Sequence, residues 1–308
     1  MSRPILVGYD PDTVDPGPVQ FAVAAARFTG ARLVVGSVHA DRDAVDLMGH
    51  GHVEAGLSED VSEPLDVLRG ALSTEGVDVE FRALPGTSPP RALHSTAEEL
   101  QARLLVVGST RRGSIGRLLP GSTADRLLHG APCPVAVVPH GWQPKGGIDV
   151  IGVGYADTPE GHVALTEALA LARRAGAKLR VLSAAKAHGY GKTEGGGPLR
   201  EGTTFEEVGS ALRVGAERGV AAATAGAQDV EVEPDISVQD PADFLIAASE
   251  RLDLLICGSR GYGPQRAVLL GGVSRRVAAE ARCPVIVLAR GIETGPEGLA
   301  GEAAGTAS

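Results

Sequence analysis

The chain is short of aromatic residues. Phe, Trp and Tyr make up only 3% of it, with a single Trp. Its cores must therefore be built mainly from Val, Leu, Ile and Ala. Cysteine is scarce as well: Cys133, Cys257 and Cys283 are the three. None forms a C-x-x-C pair, and an odd number argues against a disulfide framework. Cys133 and Cys283 each open a "CPV" run and read, with Cys257, as buried, inert thiols. Long apolar runs are missing, and no stretch approaches the roughly 20 residues of a membrane span. The start, "MSRPILVGYD", lacks the extended apolar region and cleavage site of a signal peptide. A cytoplasmic protein with no membrane partner is expected. Positive charge is in deficit: 29 Lys and Arg face 38 Asp and Glu, a formal net charge of −9. That balance argues against nonspecific binding to nucleic acid or to anionic lipid. A local pair such as Arg111–Arg112 still suffices for one small anion.

What is present is a globular composition, 43% apolar and 22% charged over 308 residues. At about 100–200 residues per domain, that length suits two domains. The chain also repeats itself. "VGYD" at 7–10 returns as "VGYA" at 153–156, and "GARLVVGSV" at 30–38 as "GAKLRVLSA" at 176–184, both at an offset of 146. "LLVVGS" at 104–109 returns as "LLICGS" at 254–259, and "APCPVAVV" at 131–138 as "ARCPVIVL" at 281–288, now at an offset of 150. Matches in one order with little drift indicate a duplicated domain, and the period is too long for a solenoid. The first unit is expected over 1–140 and the second over 147–292. "HGWQPKGG" between them has the Pro/Gly character of a linker. The small, polar tail over 293–308 is expected to be disordered.

Strands and helices alternate within each unit. In the first, "PILVGYD", "RLVVGSVHA", "VDVEFRAL", "RLLVVGS" and "CPVAVVP" read as strands. "PVQFAVAAARFTGA", a segment within 57–75 starting near Ser62, "SPPRALHSTAEELQA" and "STADRLLHG" read as helices, with Gly30 and Gly130 as stop signals. This order predicts, for each unit, an α/β open sandwich: five mostly parallel strands with helices on both faces. The uniformly apolar strands suit a sheet covered on both sides. The second unit differs in its middle, where "AHGYGKTEGGGPLREGTT" reads as a polar surface insertion.

Ligands of open parallel sheets bind beyond the C-terminal strand ends, where strand order reverses. Glycines there admit a phosphate, and a following helix N-terminus offers free N–H groups. "VVGSTRRGSIGRLLPGSTADRLL" has this grammar. It is not a P-loop: "GRLLPGST" lacks the Lys after Gly121 and does not follow the first strand. "GYDPDTVDPG" is not a G-x-G-x-x-G dinucleotide fingerprint, and no S-G-G-x-D-S loop follows the first strand of either unit. The spacing that fits is G-x-x-G-x(9)-G-[S/T].

That spacing, with the duplicated five-strand plan, resembles the universal stress protein family, in its tandem, actinobacterial type. The resemblance covers nearly the whole chain, twice. The family has an ATP-binding branch and one that does not bind ATP. For the ATP-binding branch the resemblance implies an Asp after strand one near adenine and ribose, strand ends beneath the nucleotide, and a loop around the phosphates. In the first unit these positions correspond to Asp10, Ala40, Val107, Gly108, Gly121, Ser122 and Thr123. Arg111 stands where the second motif glycine belongs: it either blocks the cradle or brings a charge to a phosphate. In the second unit Gly258, Gly261 and Gly271 match. Gly272 replaces the Ser/Thr, Ser274 follows two residues later, and Arg260 is the basic residue. The strand-one Asp is Ala156 there, with Asp157 displaced by one.

Other candidates have simpler readings. His50 and His52 suit a surface loop better than a metal site. His39 reads as an ordinary hydrogen-bonded strand-end residue, and His94 and His129 as surface or cap residues. Asp12 and Asp15 read as a solvated turn before they read as magnesium ligands. Ser122 reads as a helix cap, since no nucleophile elbow surrounds it. No catalytic or metal-binding constellation is found. The expected function is stress-associated regulation through an adenine nucleotide, ATP, with Mg²⁺ only as its companion and at most slow hydrolysis. The alternatives are an interaction module that binds no nucleotide, and an ATP-using ligase or pyrophosphatase. The edge strands carrying "CPV" suggest that the two units pair as an intramolecular pseudo-dimer, with room for a homodimer.

Overall fold

The computed structural model describes residues 3–13, 15–39, 67–70, 76–109, 122–184, 205–259, 271–288 and 298–300. Two compact units emerge, Met1–Pro144 with Gly291–Ser308, and Lys145–Arg290. The insertion at 187–204 lies outside the described residues. Of the tail, 298–300 form a turn in which Leu299 and Ala300 are buried.

The first unit runs β1 (Ile5–Tyr9), α1 (Gly17–Thr29), β2 (Leu33–His39), β3 (Val79–Pro85), α2 (Pro89–Glu99), β4 (Leu104–Gly108), α3 (Thr123–Leu128) and β5 (Val135–Val138). Residues 67–70 are helical. The strand order is β3-β2-β1-β4-β5, and every pairing is parallel. The second unit repeats the plan: β6 (Val150–Gly154), α4 (Pro159–Ala175), β7 (Lys178–Ala184), α5 (Phe205–Thr224), β8 (Val232–Ser237), α6 (Pro241–Ala248), β9 (Leu254–Gly258), α7 (Gly272–Glu280) and β10 (Val285–Leu288). A single 3-10 turn, Ser249–Arg251, joins α6 to β9. Its order is β8-β7-β6-β9-β10, again all parallel.

The apolar strand runs fill the cores. Leu6, Val7, Leu105 and Val106 are fully buried in one unit, and Val153, Leu255 and Ile256 in the other. Each such side chain contributes about 1.5–3 kcal/mol. Helices cover both faces. Leu93 of α2 packs against Gly8, whereas Pro18 of α1 packs against Gly108, which faces the opposite way. In the second unit Leu245 of α6 packs against Gly154, and Glu160 of α4 against Gly258. The repeated "GA" phrases mark helix ends. Gly30 and Gly176 cap α1 and α4 at φ 69° and 62°, where a side chain would be strained. The three cysteines are free and buried, and burial pushes each thiol up to about 12.

The outer strands are laced with charge. In the first unit Glu80 of β3 binds both Arg32 and Arg82. In the second, Lys178 bridges Glu231 and Glu233, and Arg180 pairs with Asp235 of β8. Charged side chains on an exposed edge discourage pairing with foreign strands.

One contact is tighter than the rest. A Cβ on Gly161, in the first turn of α4, would lie 1.9 Å from the backbone oxygen of Ala156. Gly161→Ala is predicted to destabilise the protein by about 2 kcal/mol through overpacking. Gly215→Ala, in α5 with nothing within 4 Å of its Cβ, should stabilise by about 0.5–1 kcal/mol. Paired denaturant titrations check both signs.

Candidate functional site

In each unit the chain builds outward from its first strand to one side, then crosses to the other. The reversal falls between β1 and β4 in the first unit and between β6 and β9 in the second. A crevice at the C-terminal ends of these paired strands is where an open parallel sheet receives ligands.

In the first unit Asp10 follows β1 and is exposed. Its carboxylate accepts the Asp12 amide at 3.1 Å and the Thr13 hydroxyl at 2.9 Å. These bonds fix the carboxylate in place but use only two of its roughly four acceptor positions. Its charge, after burial, helps push the Tyr9 hydroxyl up. On the adjacent strand His39 ends β2, and its Nδ1 is buried without a hydrogen-bond partner. Tyr9 pairs with Ser37 in the ladder, so Asp10 and His39 stand on one rim of the sheet.

Val107 is 3% exposed, paired with Val137 in the sheet core. Gly108 has a packing reason for being glycine: a Cβ there would lie 2.9 Å from Pro18 Cγ. Ser122 is the N-cap of α3, its hydroxyl accepting the Asp125 amide at 3.3 Å, and Thr123 opens that helix. His129 ends α3, with Nδ1 2.6 Å from Asp125 O, and His94 Nε2 lies 2.9 Å from Gly130 O.

Asp15 is the correction with most consequence. The sequence suggests a solvated turn, yet the Asp15 side chain is only 4% exposed. It accepts the Gly17 amide at 3.0 Å, the Gly141 amide at 3.1 Å and His140 Nδ1 at 2.9 Å. The His140 amide in turn donates to Ser109 Oγ at 2.9 Å. Asp15 therefore caps α1 in place of Pro16, which offers no side-chain acceptor. It also ties the start of α1 to the loop after β5, and through His140 to the end of β4. These bonds take three of its roughly four acceptor positions, which disfavours it as a metal ligand. Trp142, stacked edge-on against Phe21 at 5.7 Å, closes the same loop.

The second crevice is built differently. Ala156 replaces the acid, and its oxygen accepts the Thr158 amide at 2.7 Å. Asp157 does not stand in for Asp10: it lies 2.8 Å from His162 Nε2 on α4. Tyr155 is 5% exposed, edge-on to His162 at 5.5 Å, and its hydroxyl finds no hydrogen-bond partner. Gly258 again answers a close approach, since a Cβ would lie 2.5 Å from the Glu160 oxygen. Gly271 is the N-cap of α7, and Gly272 begins the helix with open space around it. The Ser274 hydroxyl donates to the Gly258 oxygen at 2.9 Å. Ser259, the counterpart of Ser109, is fully buried with an unpaired hydroxyl.

Ala40, Arg111, Gly121, Arg260, Gly261, His50 and His52 lie outside the described residues. The described part of the proposed site thus brings Asp10, Val107 and Gly108 to the switch point of the first unit. It brings Gly258, Gly271 and Ser274 together at that of the second. Asp15→Ala, which strands two amides and the His140 ring, is predicted to cost about 2–3 kcal/mol in denaturant unfolding. Asp12→Ala, at an exposed neighbour, should cost under about 0.5 kcal/mol.

The chain matches the model of the universal stress protein family twice, over residues 1–139 and 147–289. A universal stress protein of Mycobacterium bovis is 28% identical over 92% of this chain and 99% of its own length. Another, from Mycolicibacterium smegmatis, is 36% identical over 61% of this chain, the match spanning 62% of that relative. Among solved structures, a universal stress protein from Archaeoglobus fulgidus covers 94% of this chain with a TM-score of 0.65. At 21% identity that likeness shows the fold alone. No helix among the described residues is long and apolar enough to cross a membrane. The duplicated five-strand plan and the two family matches agree: the chain belongs to the universal stress protein family, with one copy of its domain in each half.

Proposed function

We propose that the chain is a regulatory universal stress protein that senses an adenine nucleotide, ATP foremost, at the switch point of its first unit. The observation that carries this reading is the Asp10 carboxylate. It is exposed at the C-terminal end of β1, held by the Asp12 amide and the Thr13 hydroxyl, with acceptor capacity to spare. A ribose diol is the natural donor for such a carboxylate. Any Mg²⁺ would arrive with the nucleotide, and Asp12, exposed beside Asp10, is the side chain nearest to hand in sequence. In the second unit the position of Asp10 is held by Ala156, and the exposed Asp157, one residue on, pairs with His162. No activated nucleophile is identified among the described residues of either rim, and the reading is of a binding protein and not of a fast hydrolase.

One observation favours a second reading, an interaction module without nucleotide. Gly108 and Gly258 are both accounted for by helices packed against them. They therefore need no phosphate to explain them.

Calorimetric titration of the full chain with ATP and Mg²⁺ separates the two. The nucleotide reading predicts saturable binding that Asp10→Ala weakens about 10–100-fold, the cost of a hydrogen bond to a charged group. Asp157→Ala should leave affinity unchanged. Absence of heat at millimolar ATP, with no nucleotide released on denaturing the purified protein, would establish the second reading instead.

A further inference from the structure

A cleft in the second unit lies away from both switch points. It is formed by β7, β8 and the C-terminal end of α6 with its 3-10 turn. Its lining is Arg180, Asp235, Phe244, Ala247, Ala248 and Arg251, and its volume is about 180 Å³. The chain reaches Arg251 just before β9 begins, so the cleft opens toward the N-terminal strand ends. The nucleotide crevice is at the other end of the sheet.

The charges in this cleft do not cancel. Arg180 is paired to Asp235 through one terminal nitrogen of its guanidinium. Its Nε is buried and makes no hydrogen bond among the described residues. Arg251 makes no ion pair among the described residues and stands exposed at the rim. Two guanidinium groups and one carboxylate leave a net lining charge of one positive unit, with unused donors on both arginines. The remaining wall is apolar, made by buried Phe244 and the two alanines.

We infer that this cleft binds a small planar monoanion, an aromatic carboxylate of about one ring. Guanidinium forks match the flat carboxylate geometry. The net charge of the lining balances a single negative charge, and Asp235 would repel a second. The volume fits one ring, since a cavity of roughly 150 Å³ accepts benzene. Phe244, Ala247 and Ala248 supply the surface on which that ring would lie. This inference is independent of nucleotide binding.

Fluorine NMR titration of the full chain with 4-fluorobenzoate tests it. The expected result is saturable binding at millimolar concentration or below, unaffected by excess ATP. Arg251→Gln should weaken it about tenfold, and Arg251→Lys less, since the charge remains while the fork is lost. Ala248→Leu, at a half-buried position, should abolish binding by filling the cleft while the unfolding midpoint holds. The inference is overturned by the absence of saturation at about 10 mM. It is equally overturned if Arg251→Gln or Ala248→Leu binds like the parent, or if ATP or inorganic phosphate displaces the probe.

Discussion

Everything at the two candidate sites depends on how closely the first helix of each unit approaches the strand next to the first. A parallel sheet buried on both faces must carry a helix on each, and the helix after the first strand has to lie across the neighbouring strand end. Pro18 therefore presses on Gly108, and Glu160 on Gly258. Any side chain at those two positions would force the helix outward and shift the loop that precedes it. That loop carries Asp10 and Asp15 in the first unit and Ala156 and Asp157 in the second. The same constraint that closes the core thus sets the height of the rim at which a ligand would dock.

The two units solve the remaining problem in different ways. In the first, a longer loop between β1 and α1 leaves room for two acids with separate tasks. Asp15 turns inward and fastens the start of α1 to His140 and Gly141. With that fastening in place, Asp10 stays outside and exposed. In the second, the shorter loop brings the Ala156 oxygen against Gly161, and the acid within the loop, Asp157, pairs with His162. The loops differ in length and in where their exposed carboxylate stands, directly after the strand in the first unit and one residue later in the second. Duplication has preserved the frame and let the rims diverge.

Much of this was legible in the sequence because it is local or repeated. The strand runs, the helix stops at Gly30 and the matched "CPV" phrases are carried by neighbouring residues, and the structure places them as the periodicity implies. What was not legible is carried by contacts between distant residues. Asp15 looks like one more acid in a polar turn, since its partners lie about 125 residues away. The glycines ending β4 and β9 look like phosphate glycines, because a helix pressed against them leaves no local mark. Ser274 looks like a spare hydroxyl until its bond to Gly258 is seen. The Arg180–Arg251 cleft had no signal at all, since neither arginine belongs to a motif.

The central claim is that the first unit, and not the second, is the nucleotide sensor. Amide hydrogen exchange on the full chain, with and without ATP and Mg²⁺, tests it most directly because it reports on both rims in one experiment. The account predicts slowed exchange at residues 9–13 and 37–39 and none at 155–158. Protection confined to 155–158, or equal in the two units, would contradict it.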